Sequence, residues 1–138
     1  MLSLSRHQVT QLISHAREAS PSECCGLIGG SEDNSAKSIY RLLNVAAEPE
    51  IAYEAAPEEL FAAQRQMRER DEKLLAVYHS HPRSIAPKPS QTDVRLAYYP
   101  AATYLIIGLG GSEPVMRGFR ISEREQFWEQ VEYTIVDE

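Results

Sequence analysis

Only two of the 138 residues are cysteines, and they are adjacent, Cys24 and Cys25. Neighbouring thiols rule out a disulfide framework and fit a reducing compartment, so the expected location is the cytoplasm. Positive charge is also scarce: 14 Lys and Arg against 20 Asp and Glu leave a formal net charge of −6. That balance disfavours non-specific nucleic-acid binding, which needs a basic face, and it is compatible with a protein or peptide partner that carries basic residues. No apolar run approaches the ~18 residues that a membrane span requires. The start, Met1-Leu2-Ser3-Leu4-Ser5-Arg6, lacks the charged region and apolar core of a signal peptide. There is no internal repeat and no low-complexity linker, so residues 1–138 read as one domain, long enough for a full core.

The pattern of elements is mixed. Ser5 can cap a helix running to about Glu18, with Val9, Leu12, Ile13 and Ala16 on one face. Cys24–Gly30 reads as a buried strand, Ser31–Ala36 as a polar turn and Ser38–Val45 as a second strand, with another short one at Ala52–Ala55. Pro57 at a helix N1 position, followed by Glu58 and Glu59, opens a helix to about Glu72. Leu74–Ser80 is the central strand. A short helix is expected from Gln91 to about Tyr98, then strands at Thr103–Leu109, Val115–Ile121 and Gln126–Val136. Helices and strands do not alternate strictly, which predicts an α/β fold with a mixed β-sheet sandwiched by helices.

The chemistry concentrates in His79-Ser80-His81-Pro82 and, beyond it, Asp93. Two histidines at i and i+2 at the end of a strand project to one side. Ser90-Gln91-Thr92-Asp93 has the form of a capping box, with Ser90 as N-cap and Asp93 in the first helical turn. A strand end and a helix start would thus bring His79, His81 and Asp93 together as three ligands for a divalent metal. Zinc suits imidazole and carboxylate, and three protein ligands leave a fourth tetrahedral position for water.

Hydrolysis also needs a proton carrier. Among Glu18, Glu23, Glu32, Asp33, Glu48, Glu50 and Glu54, Glu23 stands directly before the buried strand, where partial desolvation raises a carboxyl pKa toward the range of a general base. Ser90, at the mouth of the short helix, is the candidate oxyanion donor through its hydroxyl, with the backbone N–H groups of that helix as the alternative. Each residue has a structural reading too. The histidines alone could be strand-end residues, Asp93 a helix-dipole partner, Glu23 a turn residue and Ser90 a cap.

Taken together, Glu23 before Cys-Gly-Leu-Ile-Gly-Gly, His79-Ser80-His81-Pro82 and Pro89-Ser90-Gln91-Thr92-Asp93 resemble the JAMM (MPN+) zinc metallopeptidases, most closely their small stand-alone prokaryotic branch. The resemblance implies a cytidine-deaminase-like architecture and one zinc ion per chain on His79, His81 and Asp93. It implies Glu23 as general acid/base and Ser90 as stabiliser of the tetrahedral intermediate. It further implies hydrolysis of the peptide or isopeptide bond after the C-terminal glycine of a ubiquitin-like sulfur-carrier protein, whose tail is the partner. The spacing from His81 to Asp93 is one residue longer than the family's usual one; with Ser-x-x-Asp intact, the extra residue falls in the loop Arg83–Pro89.

A zinc hydrolase of a small-molecule amide and a non-catalytic scaffold module are the alternatives. The Pro-Cys-x-x-Cys zinc motif of a cytidine deaminase is absent. Cys24 and Cys25 read as small buried hydrophobes, His7 and His15 as surface or boundary residues, and Tyr98, Tyr99 and Trp128 as packing groups. Arg65–Lys73 reads as a solvated helix face. Ala52–Ala55 and the loop Arg83–Lys88 are expected to wall a groove for an extended substrate tail.

Overall fold

The computed structural model describes residues 1–137. In chain order it contains β1 (Ser3–Ser5), α1 (Arg6–Ala19), β2 (Cys25–Gly30), β3 (Ala36–Leu42), α2 (Pro57–Glu69), β4 (Lys73–His81), α3 (Gln91–Arg95), β5 (Thr103–Gly108), β6 (Val115–Ser122), β7 (Phe127–Val131) and β8 (Thr134–Val136). Six strands form one sheet in the order β3-β2-β4-β5-β6-β7, and β1 pairs with β8 apart from it. The β4–β5 pair is parallel and the other neighbours in the large sheet are antiparallel. The expected mixed sheet with helices on both faces is therefore present.

Strand alternation divides the core in two. Leu12 and Ala16 of α1 pack with Cys24, Ile28, Tyr78, Leu105 and Ile107. On the opposite face, Ala63 and Met67 of α2 and Val94 of α3 pack with Cys25, Leu27, Val77, Tyr104 and Ile106. Both faces being covered, the central strands are apolar throughout rather than alternating. A register shift where Ile28 and Gly29 meet β4 places Leu75 and Ala76 consecutively on the α1 face and restores strict alternation from Val77 onward. That alternation sets the direction of His79 and His81.

The helix ends follow local chemistry. Ser5 caps α1 in a reciprocal box with Gln8: its hydroxyl accepts the Gln8 N–H at 3.1 Å, and Gln8 accepts the Ser5 N–H at 2.8 Å. α2 stops at Glu69, short of the expected Glu72. Asp71 adopts φ 57°, and the Glu72 and Asp71 N–H groups return to the carbonyls of Met67 and Arg68, a Schellman ending. α3 ends at Arg95 rather than near Tyr98, with Leu96 as its C-cap.

Two expectations on strands are corrected. Ala52–Ala55 is not a strand: one isolated bridge, Asn44 to Ala55, joins it to the segment just after β3, and the Asn44 side chain takes the Ala52 carbonyl and the Glu54 N–H that a longer ladder would use. The segment Gln126–Val136 is two strands, not one. β7 stays on the sheet edge, whereas β8 leaves it to pair in parallel with β1, a strand that the sequence pattern does not announce.

Candidate metal and catalytic site

From Val77 onward β4 sends its odd-numbered side chains to the α2/α3 face, so His79 and His81 emerge beside α3. His79 is fully buried and His81 partly so. Val94 anchors α3 in the same core cluster as Val77, which brings the adjacent Asp93 up to the histidines. Asp93 is fixed by the expected capping box: Ser90 Oγ accepts the Asp93 N–H at 3.0 Å, and Asp93 Oδ2 accepts the Ser90 N–H at 2.9 Å.

The three polar atoms close a triangle. His79 Nε2 and His81 Nε2 lie 3.2 Å apart, and Asp93 Oδ2 is 3.1 Å from the first and 3.0 Å from the second. Ligand atoms on a tetrahedral zinc, with bonds near 2.0–2.1 Å, stand about 3.3 Å from each other. The donor set and its spacing therefore fit a divalent ion after a small relaxation. Burial works against the charged form of Asp93. The neighbouring His79, the contacts with both imidazoles and the Ser90 N–H outweigh it and hold the carboxyl well below the usual range.

Glu23 reaches the same place from the neighbouring strand. Cys25 pairs with His79, so the antiparallel register carried two residues back sets Glu23 opposite His81. A Glu23 carboxylate oxygen lies within 4.8 Å of both histidines' ligand nitrogens. The residue is 4% exposed, and its Oε1 has no hydrogen-bond partner. Burial, reinforced by the Asp93 charge, pushes the carboxyl up to about 8. An orphaned buried oxygen of this kind is costly unless it faces a ligand, water or ion.

Supporting residues complete the site, and the sequence pattern singles out only some of them. Ser80, between the two histidines, faces the other way and accepts the Cys24 N–H at 2.9 Å, tying the entry of β2 to β4. Tyr53 stacks on His79, with ring centroids 4.5 Å apart and 28° between planes. A histidine ligand ordinarily gives its second nitrogen to an acceptor; here His79 Nδ1 has none, and the Tyr53 ring holds the imidazole instead. Asn44 had no signal beyond being a polar residue at a strand end.

Two cavities flank the triangle. One of about 440 Å³ is lined by Cys25, Leu27, Tyr53, Ala55, Leu96 and Tyr98, among others. The other, of about 380 Å³, is lined by Glu23, Glu50, Ile51, His81, Pro82, Arg83, Ser84 and Ser90. Tyr98 and Tyr99 thus line a cavity, whereas Trp128 packs edge-on against Phe119, 5.4 Å between centroids. Cys24 and Cys25 are buried, with both thiols raised by burial, Cys25 to about 12. His15 is half-buried, with Nδ1 2.7 Å from the Tyr78 hydroxyl.

A mixed sheet presenting two strand-end histidines, a helix-start aspartate and a buried glutamate defines a JAB-type hydrolase domain. Residues 5–122 match the family model described as prokaryotic homologs of the JAB domain, and the chain belongs to that family. A desampylase of Haloferax volcanii is 37% identical over 115 residues, covering 80% of this chain and 82% of the relative. A CysO-cysteine peptidase of Mycobacterium tuberculosis is 32% identical over 99 residues, 72% of this chain and 67% of the relative. A solved structure from Desulfitobacterium hafniense superposes with a TM-score of 0.86 at 33% identity, covering 100% of this chain and 94% of that one. A JAB1/MPN domain protein from Archaeoglobus fulgidus superposes at 0.67 and 20% identity over 99% of this chain and 98% of that one, a likeness of fold. The chain is a hydrolase of the peptidase class.

Proposed function

We propose that this chain is a zinc-dependent peptidase or isopeptidase that cleaves the bond after the C-terminal glycine of a ubiquitin-like sulfur-carrier protein, acting in the cytoplasm. The observation that carries the reading is the triangle of His79, His81 and Asp93 with the orphaned Glu23 carboxylate beside it. His79, His81 and Asp93 would hold one zinc ion. Asp93 closes the tight triangle, which leaves Glu23 free for proton transfer. The relatives' names point to the substrate class: a desampylase, a CysO-cysteine peptidase and, in Thermus thermophilus, a probable TtuB-protein conjugate cleaving protease, 30% identical over 126 residues.

A bound zinc ion would supply Lewis-acid polarisation of the scissile carbonyl and would lower the pKa of a bound water to about 7. Beside a bound zinc ion, whose charge would favour its ionised form, Glu23 takes a proton from the attacking water and delivers it to the leaving nitrogen. Ser90 uses a lone pair to cap α3, so its hydroxyl hydrogen remains available for the oxyanion. Tyr53 and the β2–β4 pairing keep His79 in place.

The test is zinc stoichiometry and cleavage of a carrier tail, compared between wild type, Asp93→Ala and Glu23→Gln. One zinc per chain, lost in Asp93→Ala and kept in Glu23→Gln, is expected, with turnover lost in both. Full activity in Glu23→Gln would remove the assignment of the base. A wild-type chain that takes up no zinc would favour a scaffold role.

A further inference from the structure

Beside the triangle, the cavity that contains Glu23, His81 and Ser90 is bounded on one rim by an ion pair: Arg83 Nη2 donates to Glu50 Oε1 at 2.9 Å. Among the described residues that line that cavity, Arg83 alone is a lysine or arginine. It does not hang from a loose loop. The Ser84 N–H bonds the His81 carbonyl at 3.0 Å, closing a turn directly after β4, and the Gly110 N–H bonds the Ser84 carbonyl at 2.9 Å. Gly108 and Gly110 lack side chains where the backbone of Ser84 and Arg83 presses on them; a Cβ on Gly108 would stand 2.6 Å from the Ser84 carbonyl oxygen. Pro82 leads into the turn and Pro87, fully buried, follows it. Arg83 thus extends an exposed guanidinium, paired with Glu50, from a braced backbone turn two residues from a proposed metal ligand.

We infer that Arg83 determines specificity by binding the free α-carboxylate of the leaving group in a carrier extended beyond its glycine by one C-terminal amino acid. This rests on the peptidase reading above. In such a substrate the carboxylate lies one residue spacing, about 3.8 Å, from the attacked carbonyl. A guanidinium can grip it through paired N–H donors. In an isopeptide the leaving nitrogen is a lysine side-chain amine, whose main chain is several bonds farther away and has no free carboxylate. During hydrolysis the water oxygen joins the glycine carbonyl carbon, the C–N bond breaks, and the proton carried by Glu23 goes to the departing nitrogen. The products are a carrier ending in a glycine carboxylate and a free amino acid held at its carboxylate by Arg83. Glu50 occupies the guanidinium when no substrate is present and yields it to the incoming carboxylate.

The experiment uses zinc-loaded protein and two peptides of one carrier-tail sequence ending Gly-Gly-Ala, one with a free C-terminus and one amidated. Cleavage by wild type is measured, and binding is measured with Glu23→Gln, which holds uncleaved peptide. The free acid is expected to exceed the amide about tenfold in kcat/KM and in affinity, as suits a charge-assisted contact at an exposed rim. Arg83→Gln should lower the acid to the level of the amide and leave the amide unchanged. Glu50→Gln breaks the same ion pair but keeps the guanidinium, so it should retain the preference. Equal handling of both peptides by wild type, or an equal fall for both in Arg83→Gln, overturns the assignment while the peptidase reading stands. Cleavage of neither peptide overturns both.

Discussion

The side chain of Asn44 holds the backbone of Glu23. Asn44 Nδ2 donates to the Glu23 carbonyl at 2.9 Å and to the Ala52 carbonyl at 3.0 Å, while its Oδ1 accepts the N–H groups of Ala46 and Glu54, each at 3.0 Å. One amide therefore joins the proposed base to the loop that carries Tyr53 against His79. Asn44→Ala leaves two carbonyls and two N–H groups to find other partners, at a stability cost of about 1–3 kcal/mol. Zinc content should be unchanged, because no proposed ligand is touched, and kcat should fall roughly tenfold through misplacement of Glu23. Thermal unfolding, metal analysis and steady-state kinetics on one preparation check all three. A normal kcat would show that Glu23 keeps its position without this tie.

The Glu23 carboxyl makes metal-free protein sensitive to pH in an unusual direction. Its folded value, about 8, lies above the ordinary 4.5. A raised folded value means that the protonated form favours folding, so the contribution is fully present below about 4.5 and is lost as pH rises to about 8. Glu23→Gln cannot ionise and keeps the neutral form. The metal-free variant should therefore gain in Tm over metal-free wild type as pH rises from 5 to 8, with little difference at pH 4. Melting curves in the presence of a chelator across this range decide the point. A constant difference would mean that Glu23 titrates normally.

Ser90 is the N-cap of α3 and the proposed oxyanion donor, and the two roles are separable. As the N-cap of α3 its hydroxyl accepts the Asp93 N–H, and loss of such a cap costs about 1 kcal/mol. As oxyanion donor its removal should lower kcat by about 10²–10³. Ser90→Ala is expected to show both effects with zinc still bound, since the Ser90 backbone N–H continues to orient Asp93. A loss of stability with kcat retained would reduce Ser90 to a cap.

Much of this site could be read from residue order because its geometry is local. His79 and His81 share a face by strand alternation, and Ser90 and Asp93 face each other through a capping box that spans three residues. Glu23 needs only the antiparallel register of two neighbouring strands. What stayed hidden depends on distant partners. β1 and β8 are three residues each and pair across almost the whole chain, so neither carries a periodic signal. Ala52–Ala55 has the residues of a short strand, yet the Asn44 side chain takes its Ala52 carbonyl and Glu54 N–H. The stacking of Tyr53 on His79 follows from that loop's path rather than from any spacing. The loop after His81, between the turn at Ser84 and the cap at Ser90, leaves the triangle of His79, His81 and Asp93 closed.

Gly110 and Gly111 are adjacent and should respond oppositely to the same substitution. A Cβ on Gly110 would overlap the Arg83 carbonyl group and stand 2.9 Å from the Ser84 carbonyl carbon, both backbone atoms of a braced turn. A Cβ on Gly111 would meet nothing nearer than 3.6 Å, the Ile85 Cγ2 atom, and neither glycine has positive φ. Gly110→Ala must push the turn away, at about 1–3 kcal/mol for overpacking. It should also displace Arg83 and reduce the preference for a free C-terminal carboxylate. Gly111→Ala should be neutral or stabilising by about 0.4–1 kcal/mol, because it narrows the freedom of the unfolded chain without a clash. Paired denaturant unfolding of the two variants, with cleavage of the acid and amide peptides, tests the argument. Equal stability of the two would mean that the turn after β4 is soft, and a soft turn would not hold Arg83 in one place.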